Sequence, residues 1–363
     1  MSDSPPQVPK LRGRALGLPF TGETGPFNAL TDIPGVEIGQ TTLIEGERVR
    51  TGVTVIRPHG HATKLMPVWA GFHALNGNGE MTGVHWIREG GYFVGAIGLT
   101  NTHSVGAVHQ ALLAQMVRDH GPRLGAYQWA LPVVGETCDA YLNDMNGFHV
   151  REEHVARALE TAAGGTVAEG NVGGGTGMIA YEFKAGSGTA SRIVTHPAGR
   201  FTVGAFVQAN MGLRDQFSVL GVPVGRLIQT DRPFRREQGS IIVVIGTDAP
   251  LLPLHLQRLA RRGGMGLART GSYAGDGSGD LCLAFSTANR DADLSGEPRW
   301  KLDAVPDHLL DPFFLAAVEA VEEAIINALV AAETMHGLDG RIVRAIDHQQ
   351  LVDIMRRHNR LTN

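Results

Sequence analysis

Residues 240–251, SIIVVIGTDAPL, follow directly on the charged, turn-prone stretch TDRPFRREQG at 230–239. The run of apolar, β-branched residues predicts a buried strand, and the glycine before it is typical of a turn. Gly239 has no Cβ, so it tolerates a strained backbone and leaves its carbonyl group accessible. We therefore expect a buried strand that starts at Ser240, immediately after an accessible carbonyl group.

The Gly239–Ser240 step also has a chemical consequence. Attack of the Ser240 hydroxyl on the Gly239 carbonyl carbon would close a five-membered ring. Completion of this reaction would break the chain and make Ser240 a new N-terminus. A serine with a free α-amine carries its own potential base, because that amine titrates near ~7.7–8.0. On these residues alone, a turn that leads into a strand is the simpler interpretation.

Composition limits the classes of function. The 363 residues carry a formal net charge of −4, which provides no basic surface for nucleic acid. The first segment, MSDSPPQVPK, lacks the basic and apolar regions of a secretory signal, and no apolar run approaches the ~20 residues of a membrane span. The two cysteines, Cys138 and Cys282, form no metal-binding or redox motif, which favours a reducing compartment. We therefore expect a cytoplasmic protein that binds neither nucleic acid nor membranes.

Helical and strand patterns are mixed along the chain. Short apolar runs broken by glycine predict strands between residues 33 and 99. The periodicity predicts helices at 104–119, 151–163, about 254–262 and 311–335, and further strands at 133–138, 178–183, 201–210, 241–246 and 281–287. Such a mixture is typical of an α+β layered architecture.

Seven further motifs accompany the junction: NALTDIPGVEIGQTT (28–42), GVTVIRP (52–58), NGNGEMTG (76–83), PVVGETCDAYLND (132–144), GNVGGGTGM (170–178), VQANMG (207–212) and ETMHG (333–337). Together with residues 239–290 they resemble the DmpA/BapA family of self-processing serine aminopeptidases, over nearly the whole chain. The resemblance implies an αββα sandwich with Ser240 at the end of a central strand. It also implies one catalytic domain at 1–363, cleaved into an α chain (1–239) and a β chain (240–363), a homo-oligomer of αβ pairs, and no metal or organic cofactor.

The resemblance further assigns roles in catalysis. Ser240 is the nucleophile, and the side-chain amide of Asn210 in VQANMG donates a hydrogen bond to the oxyanion. One such donor can raise the rate by ~10²–10³. Ser278 and Asp280 in DGSGD (276–280) neighbour the nucleophile. Glu136 binds the free amino group of the substrate, because an ammonium in a partly dry pocket needs a counter-charge. The general base is left open between the α-amine of Ser240 and the Ser278–Asp280 pair.

The sequence departs from the family pattern at Cys138, where close relatives carry a tyrosine. A ring and a hydroxyl are thereby lost from the expected wall of the substrate pocket. The preference among L-amino acid, D-amino acid and β-amino acid substrates therefore stays open. Cys138 itself is a poor candidate for the nucleophile, because no histidine stands in a partnering motif.

Two other functions fit parts of the sequence. An acyltransferase similar to ornithine acetyltransferase would also cleave itself, but that family uses a threonine nucleophile. A non-catalytic protein that retains the fold has no need for all of the polar site residues. The motif GNVGGGTGM lacks the ending of a phosphate-binding loop, and neither HExxH nor GxSxG occurs. The sequence thus predicts a hydrolase that releases N-terminal residues from small peptides, amides or esters through an acyl-enzyme on Ser240.

Overall fold

The computed structural model describes residues 10–62, 66–121, 129–228, 230–234, 239–291 and 299–362. Helices and strands are numbered in chain order. The helices are α1 Val84–Gly90, α2 Val105–His120, α3 Glu152–Glu160, α4 Val224–Leu227, α5 Pro253–Arg269, α6 Asp311–Val330 and α7 His348–Arg357. The strands are β1 Glu37–Glu45, β2 Val49–Arg57, β3 Val68–Gly77, β4 Tyr92–Phe93, β5 Ile97–Asn101, β6 Val133–Thr137, β7 Ile179–Ala180, β8 Phe183–Lys184, β9 Ser187–His196, β10 Gly199–Asn210, β11 Ser240–Thr247, β12 Gly279–Ser286, β13 Met335–His336 and β14 Ile342–Val343.

Two sheets form the centre of the fold. The smaller has the strand order β1-β2-β5-β6, and the larger has the order β4-β3-β12-β11-β10-β9. Within the larger sheet β10 and β11 are antiparallel, whereas β11 and β12 are parallel. The last residue of β10 therefore lies beside the first residues of β11 and β12, at one end of these central strands.

The side chains of β11 show how the layers are arranged. Ile241, Val243 and Ile245 pack with residues of α5 and α6 in one core, whereas Ile242 and Val244 face the smaller sheet in a second core. This alternation is the two-residue period of a strand that is buried on both faces. A third core joins the outer face of the smaller sheet to α2 and α3. The order of layers is helices, sheet, sheet, helices, which confirms the predicted αββα sandwich.

The helix α5 continues to Arg269, beyond the end predicted at residue 262. The glycines that follow residue 262 serve close packing within the helix. A Cβ at Gly263 would lie 2.7 Å from the Sγ atom of Cys282, and one at Gly266 would lie 2.7 Å from the Cβ of Val321. These glycines let α5 approach β12 and α6, and that packing outweighs their low helix propensity.

Two other predicted elements differ from the structure. Residues 178–183 form a hairpin of β7 and β8 rather than one strand, because Tyr181 and Glu182 have φ values of 50° and 62° and turn the chain back. The helix predicted at 311–335 is α6 and ends at Val330, since Met335 already belongs to β13. The helices predicted at 104–119 and 151–163 are confirmed as α2 and α3.

Candidate active site

Three adjacent strands bring the predicted site residues together. Ser240 is the first residue of β11 and pairs with Asn210, the last residue of β10. On its other side Ser240 pairs with Gly279, the first residue of β12. Ser278 and Asp280 flank Gly279 in the sequence. The register of the sheet alone therefore places these residues around one strand end.

The Ser240 hydroxyl lies within hydrogen-bond distance of the Gly239 carbonyl group. The Ser240 Oγ donates to the carbonyl oxygen of Gly239 at 2.8 Å and accepts from the backbone N–H of Gly279 at 3.3 Å. The side chain of Ser240 is buried, with 6 % of the residue exposed. The hydroxyl is thus held against the carbonyl group that it would attack.

Gly239 is required at this position by crowding rather than by backbone strain. Its φ is not in the left-handed region, which corrects the strain invoked from the sequence. A Cβ at Gly239 would lie 2.1 Å from the carbonyl oxygen of Asn210 and 2.6 Å from the Cα of Met211. Only a residue without a side chain fits between Ser240 and the end of β10.

The amide of Asn210 is fixed by two backbone groups. Its Oδ1 accepts from the N–H of Ile179 at 2.8 Å, and its Nδ2 donates to the carbonyl oxygen of Cys138 at 3.0 Å. Among the described residues no acceptor takes the second N–H of this amide. The loop that carries Ile179 is held by the buried Lys184, whose Nζ donates to the carbonyl oxygen of Met178 at 2.6 Å. The amide therefore has one oriented donor left for a developing oxyanion.

Ser278 and Asp280 form a fully buried pair beside the nucleophile. The Ser278 Oγ donates to the Oδ1 of Asp280 at 2.9 Å. The turn before them is held by Asn76, whose Nδ2 donates to the carbonyl oxygen of Ser278 at 2.5 Å. The hydroxyls of Ser278 and Ser240, both described, share no hydrogen bond in this geometry, so a proton relay between them would need a rotation of one side chain.

Glu136 lies near the end of β6 and is buried, with 3 % exposed. Its carboxylate accepts from the backbone N–H of Glu80 at 2.9 Å and from the hydroxyl of Thr102. Within the described part of the chain, no cationic side chain forms an ion pair with it. A Cβ at Gly79 would lie 3.2 Å from the Glu136 carboxylate and 3.4 Å from the Cα of Gly279. The backbone at Gly79 thus lies between the Glu136 carboxylate and Gly279, which is the neighbour of Ser240 in the sheet. The carboxylate is buried, and no cation among the described residues offsets its charge.

Gly239 also borders a cavity of about 190 Å³. Cys138 borders it as a free, half-buried thiol. Burial raises the pKa of this thiol, so it stays protonated at neutral pH and acts as part of the wall. The remaining bordering residues are Ala140, Tyr141, Ile179, Asn210, Met211, Gly212, Phe234 and Arg341.

Several of these residues were not predicted from the sequence. Tyr141 lies within the motif 132–144, and its position only three residues beyond Cys138 was the available signal. Phe234 and Arg341 carry no such signal, because they come from chain segments far apart in sequence. Thr102, which donates to Glu136, was likewise missed, since nothing in the sequence pairs it with β6.

The described residues contain neither a cluster of metal ligands nor a membrane-spanning helix. In those residues no group of three or more His, Cys, Asp or Glu side chains is arranged to hold a metal ion. The same part of the chain contains no helix with the length and apolar character needed to cross a bilayer.

Comparison with known proteins identifies relatives over most of the chain. Residues 28–343 match the model of peptidase family S58. The β-peptidyl aminopeptidase BapA of Sphingosinicella microcystinivorans is 45% identical over 373 residues, which cover 96% of this chain and 93% of the relative.

Solved structures show the same architecture. The L-aminopeptidase D-Ala-esterase/amidase of Ochrobactrum anthropi is 49% identical with a TM-score of 0.93, and the match covers 97% of this chain and 99% of that chain. It is described as a prototype of the serine aminopeptidases and as a new variant of the Ntn hydrolase fold. A β-aminopeptidase from Burkholderia sp. is 47% identical with a TM-score of 0.88, covering 96% and 99% of the two chains.

Proposed function

The chain belongs to peptidase family S58 and is a serine aminopeptidase, and we propose that it cleaves its own Gly239–Ser240 bond to create its nucleophile. The Ser240 hydroxyl attacks the Gly239 carbonyl carbon and the peptide becomes an ester, which frees the α-amine. Water then hydrolyses the ester and leaves chains 1–239 and 240–363. The observation that carries this proposal is the 2.8 Å hydrogen bond between the Ser240 Oγ and the Gly239 carbonyl oxygen, at a position where only glycine fits.

Turnover reuses the same groups. Ser240 attacks the carbonyl carbon of the substrate's N-terminal residue, while the free N–H of Asn210 stabilises the oxyanion. Either the α-amine of Ser240 or the Ser278–Asp280 pair takes the proton of the hydroxyl and returns it to the leaving amine. Water then hydrolyses the acyl-enzyme and restores Ser240.

Glu136 makes the enzyme an exopeptidase. A buried carboxylate without a counter-ion is unfavourable, and the ammonium of a free N-terminus supplies the missing charge. We therefore expect small peptides, amides and esters with a free amine as substrates. The relatives act on β-peptides and on L- or D-amino acid derivatives according to their names, so these three substrate series are the ones to compare.

The wider organisation follows the same family. A single catalytic domain spans 1–363, its αβ pairs form a homo-oligomer, and it works in the cytoplasm without a metal or an organic cofactor. Gel filtration of the processed enzyme tests the oligomer, and activity that persists after dialysis against EDTA tests the independence from metal.

The mass of the purified protein tests the central proposal. Denaturing mass spectrometry should give two species that correspond to residues 1–239 and 240–363, and Ser240→Ala should give one inactive chain. An intact wild-type chain that still hydrolyses aminoacyl p-nitroanilides would contradict the mechanism.

A further inference from the structure

The cavity beside Gly239 has a defined place in the reaction that we propose for Ser240. In self-cleavage Gly239 is the acyl donor, and in turnover the N-terminal residue of the substrate takes its place. Gly239 and Asn210 both border this cavity, so it lies beside the acyl group of a substrate that is bound to Ser240. Because a Cβ at Gly239 would meet the backbone of Asn210 and Met211, we expect a substrate residue with a side chain to lie differently from Gly239, with that side chain in the cavity.

Apolar groups form most of the cavity wall. The rings of Tyr141 and Phe234 meet edge to face, with their centroids 5.0 Å apart, and Ile179 and Met211 complete this surface. A cavity of about 190 Å³ is far larger than the ~10–15 Å³ that a single water needs, so it has room for a side chain of several heavy atoms. Such a wall suits the hydrocarbon part of a linear side chain.

Arg341 adds a charge to this apolar wall. Its guanidinium carbon lies 5.1 Å from the centroid of the Tyr141 ring, and its Nη1 donates to the Tyr141 carbonyl oxygen at 3.1 Å. These two contacts fix the orientation of the guanidinium. Of the described residues that border the cavity, Arg341 alone has an ionised side chain at neutral pH.

The existing partner of Arg341 leaves it available to a ligand. Asp339 lies 3.5 Å away, and the two side chains are 61% and 38% exposed. An exposed ion pair of this kind contributes little, so a carboxylate in the cavity can replace it. The positive charge also lies apart from Glu136, which does not border the cavity.

We propose that Arg341 makes this enzyme select N-terminal residues whose side chain ends in a carboxylate on a short hydrocarbon stem, as in glutamate. The stem contacts Tyr141 and Phe234, and the carboxylate binds the guanidinium, while Glu136 holds the ammonium. The same chemistry applies to an α-amino acid and to its β-amino homologue, since both present the stem from the acyl residue.

The test compares two substrates of nearly equal shape that differ in charge. The kcat/KM for glutamyl p-nitroanilide should exceed that for glutaminyl p-nitroanilide by about twofold to fivefold in the wild type, the upper part of the range for an exposed ion pair. Added salt should lower this ratio. Arg341→Gln should bring the ratio close to one, and Arg341→Lys should keep part of it.

Arg344→Gln is the matched control. Arg344 follows in the same segment and pairs with the exposed Asp231 at 3.3 Å, but it does not border the cavity. Its removal also deletes one positive charge, and the ratio should remain that of the wild type. Gel analysis of self-cleavage in each variant shows whether the fold is retained.

The outcomes separate this inference from the proposed function. Turnover of alanyl p-nitroanilide without a preference for glutamyl over glutaminyl substrate would overturn the role of Arg341 and leave the aminopeptidase mechanism standing. A glutamyl preference that survives Arg341→Gln would also overturn it. Lack of turnover of all three substrates would overturn both. If Arg341→Gln fails to fold, the wild-type ratio and Arg341→Lys still decide.

Discussion

Substitution of Gly239 by alanine should block self-cleavage while leaving Ser240 in place. The new Cβ would lie 2.1 Å from the carbonyl oxygen of Asn210, where contacts below about 3 Å do not persist, so the Gly239 carbonyl must shift by about 1 Å. Overpacking of this kind costs ~1–3 kcal/mol, and a 1 Å misplacement of reacting atoms can cost ~10²-fold in rate. We therefore expect cleavage to slow by about two orders of magnitude.

The assay follows newly made protein from cell-free translation and measures the fraction of full-length chain on denaturing gels over time. Gly77→Ala is the matched control. Gly77 lies at the same sheet edge, paired with Gly279, and a Cβ there would meet no atom within 4 Å. Gly77→Ala should cleave like the wild type. If Gly239→Ala cleaves as fast as Gly77→Ala, crowding at this position has no part in placing the carbonyl.

Three other variants test single parts of the site, and a fourth tests the buried carboxyl group of Asp139. Asn210→Ala should lower the kcat of processed enzyme by roughly 10²–10³, and a change in KM alone would argue against an oxyanion donor. The wild type should prefer free over N-acetylated aminoacyl p-nitroanilides by about tenfold to a few hundredfold, because a blocked substrate leaves the buried charge of Glu136 unpaired. Glu136→Gln should remove most of this preference. Equal hydrolysis of both substrates by the wild type would exclude an aminopeptidase. Asp280→Asn should slow both cleavage and turnover, and a normal kcat in the processed variant would leave the Ser240 α-amine as the base. Burial raises the pKa of Asp139 from 3.8 to about 6, so between these values the folded protein keeps a proton that the unfolded chain has lost, and stability falls as pH rises from about 4 to 6. In a Ser240→Ala background, urea unfolding should show that Asp139→Asn removes up to about 3 kcal/mol of this fall, whereas an equal shift at every pH would exclude titration of Asp139.

The roles of the residues around Ser240 were expected from the family resemblance, and the sequence pattern itself predicted only the buried strand that starts at Ser240. The apolar pattern of 240–251 places Ser240 at the start of a buried strand, and β10 and β12 bring Asn210 and Gly279 beside it. The reason for Gly239 could not be predicted in the same way. Its crowding arises from the backbone of Asn210 and Met211, which the sequence alone does not place next to residue 239.

The substrate cavity was less accessible to prediction than the nucleophile. Tyr141, Phe234 and Arg341 meet there although about a hundred residues separate each from the next. No local periodicity encodes such a meeting, because it depends on how loops leave the two sheets. The same limit applies to α5, which extends beyond the predicted end at residue 262 because its glycines allow close packing against β12 and α6.

Buried charges explain how the fold can tolerate a break after residue 239. Arg192 in β9 donates to the carboxylate of Glu323 in α6 at 2.8 Å, and both side chains are fully buried. Arg14 reaches the same carboxylate at 2.9 Å. The cleavage would place these arginines and this glutamate on different chains. These buried ion pairs would therefore join the two chains.

Cleavage after Gly239 would also leave the pairing of β10 with β11 in place. Pairing of β10 with β11 continues from Asn210 and Ser240 to Val203 and Thr247, and these ladder bonds do not depend on the Gly239–Ser240 peptide. Cleavage before the first residue of β11 would therefore create two groups, a carboxylate on Gly239 and an α-amine on Ser240 within reach of its own hydroxyl. The strand register that holds Asn210 on one side and Gly279 on the other is retained, so the geometry that favours self-cleavage is also the geometry available for turnover.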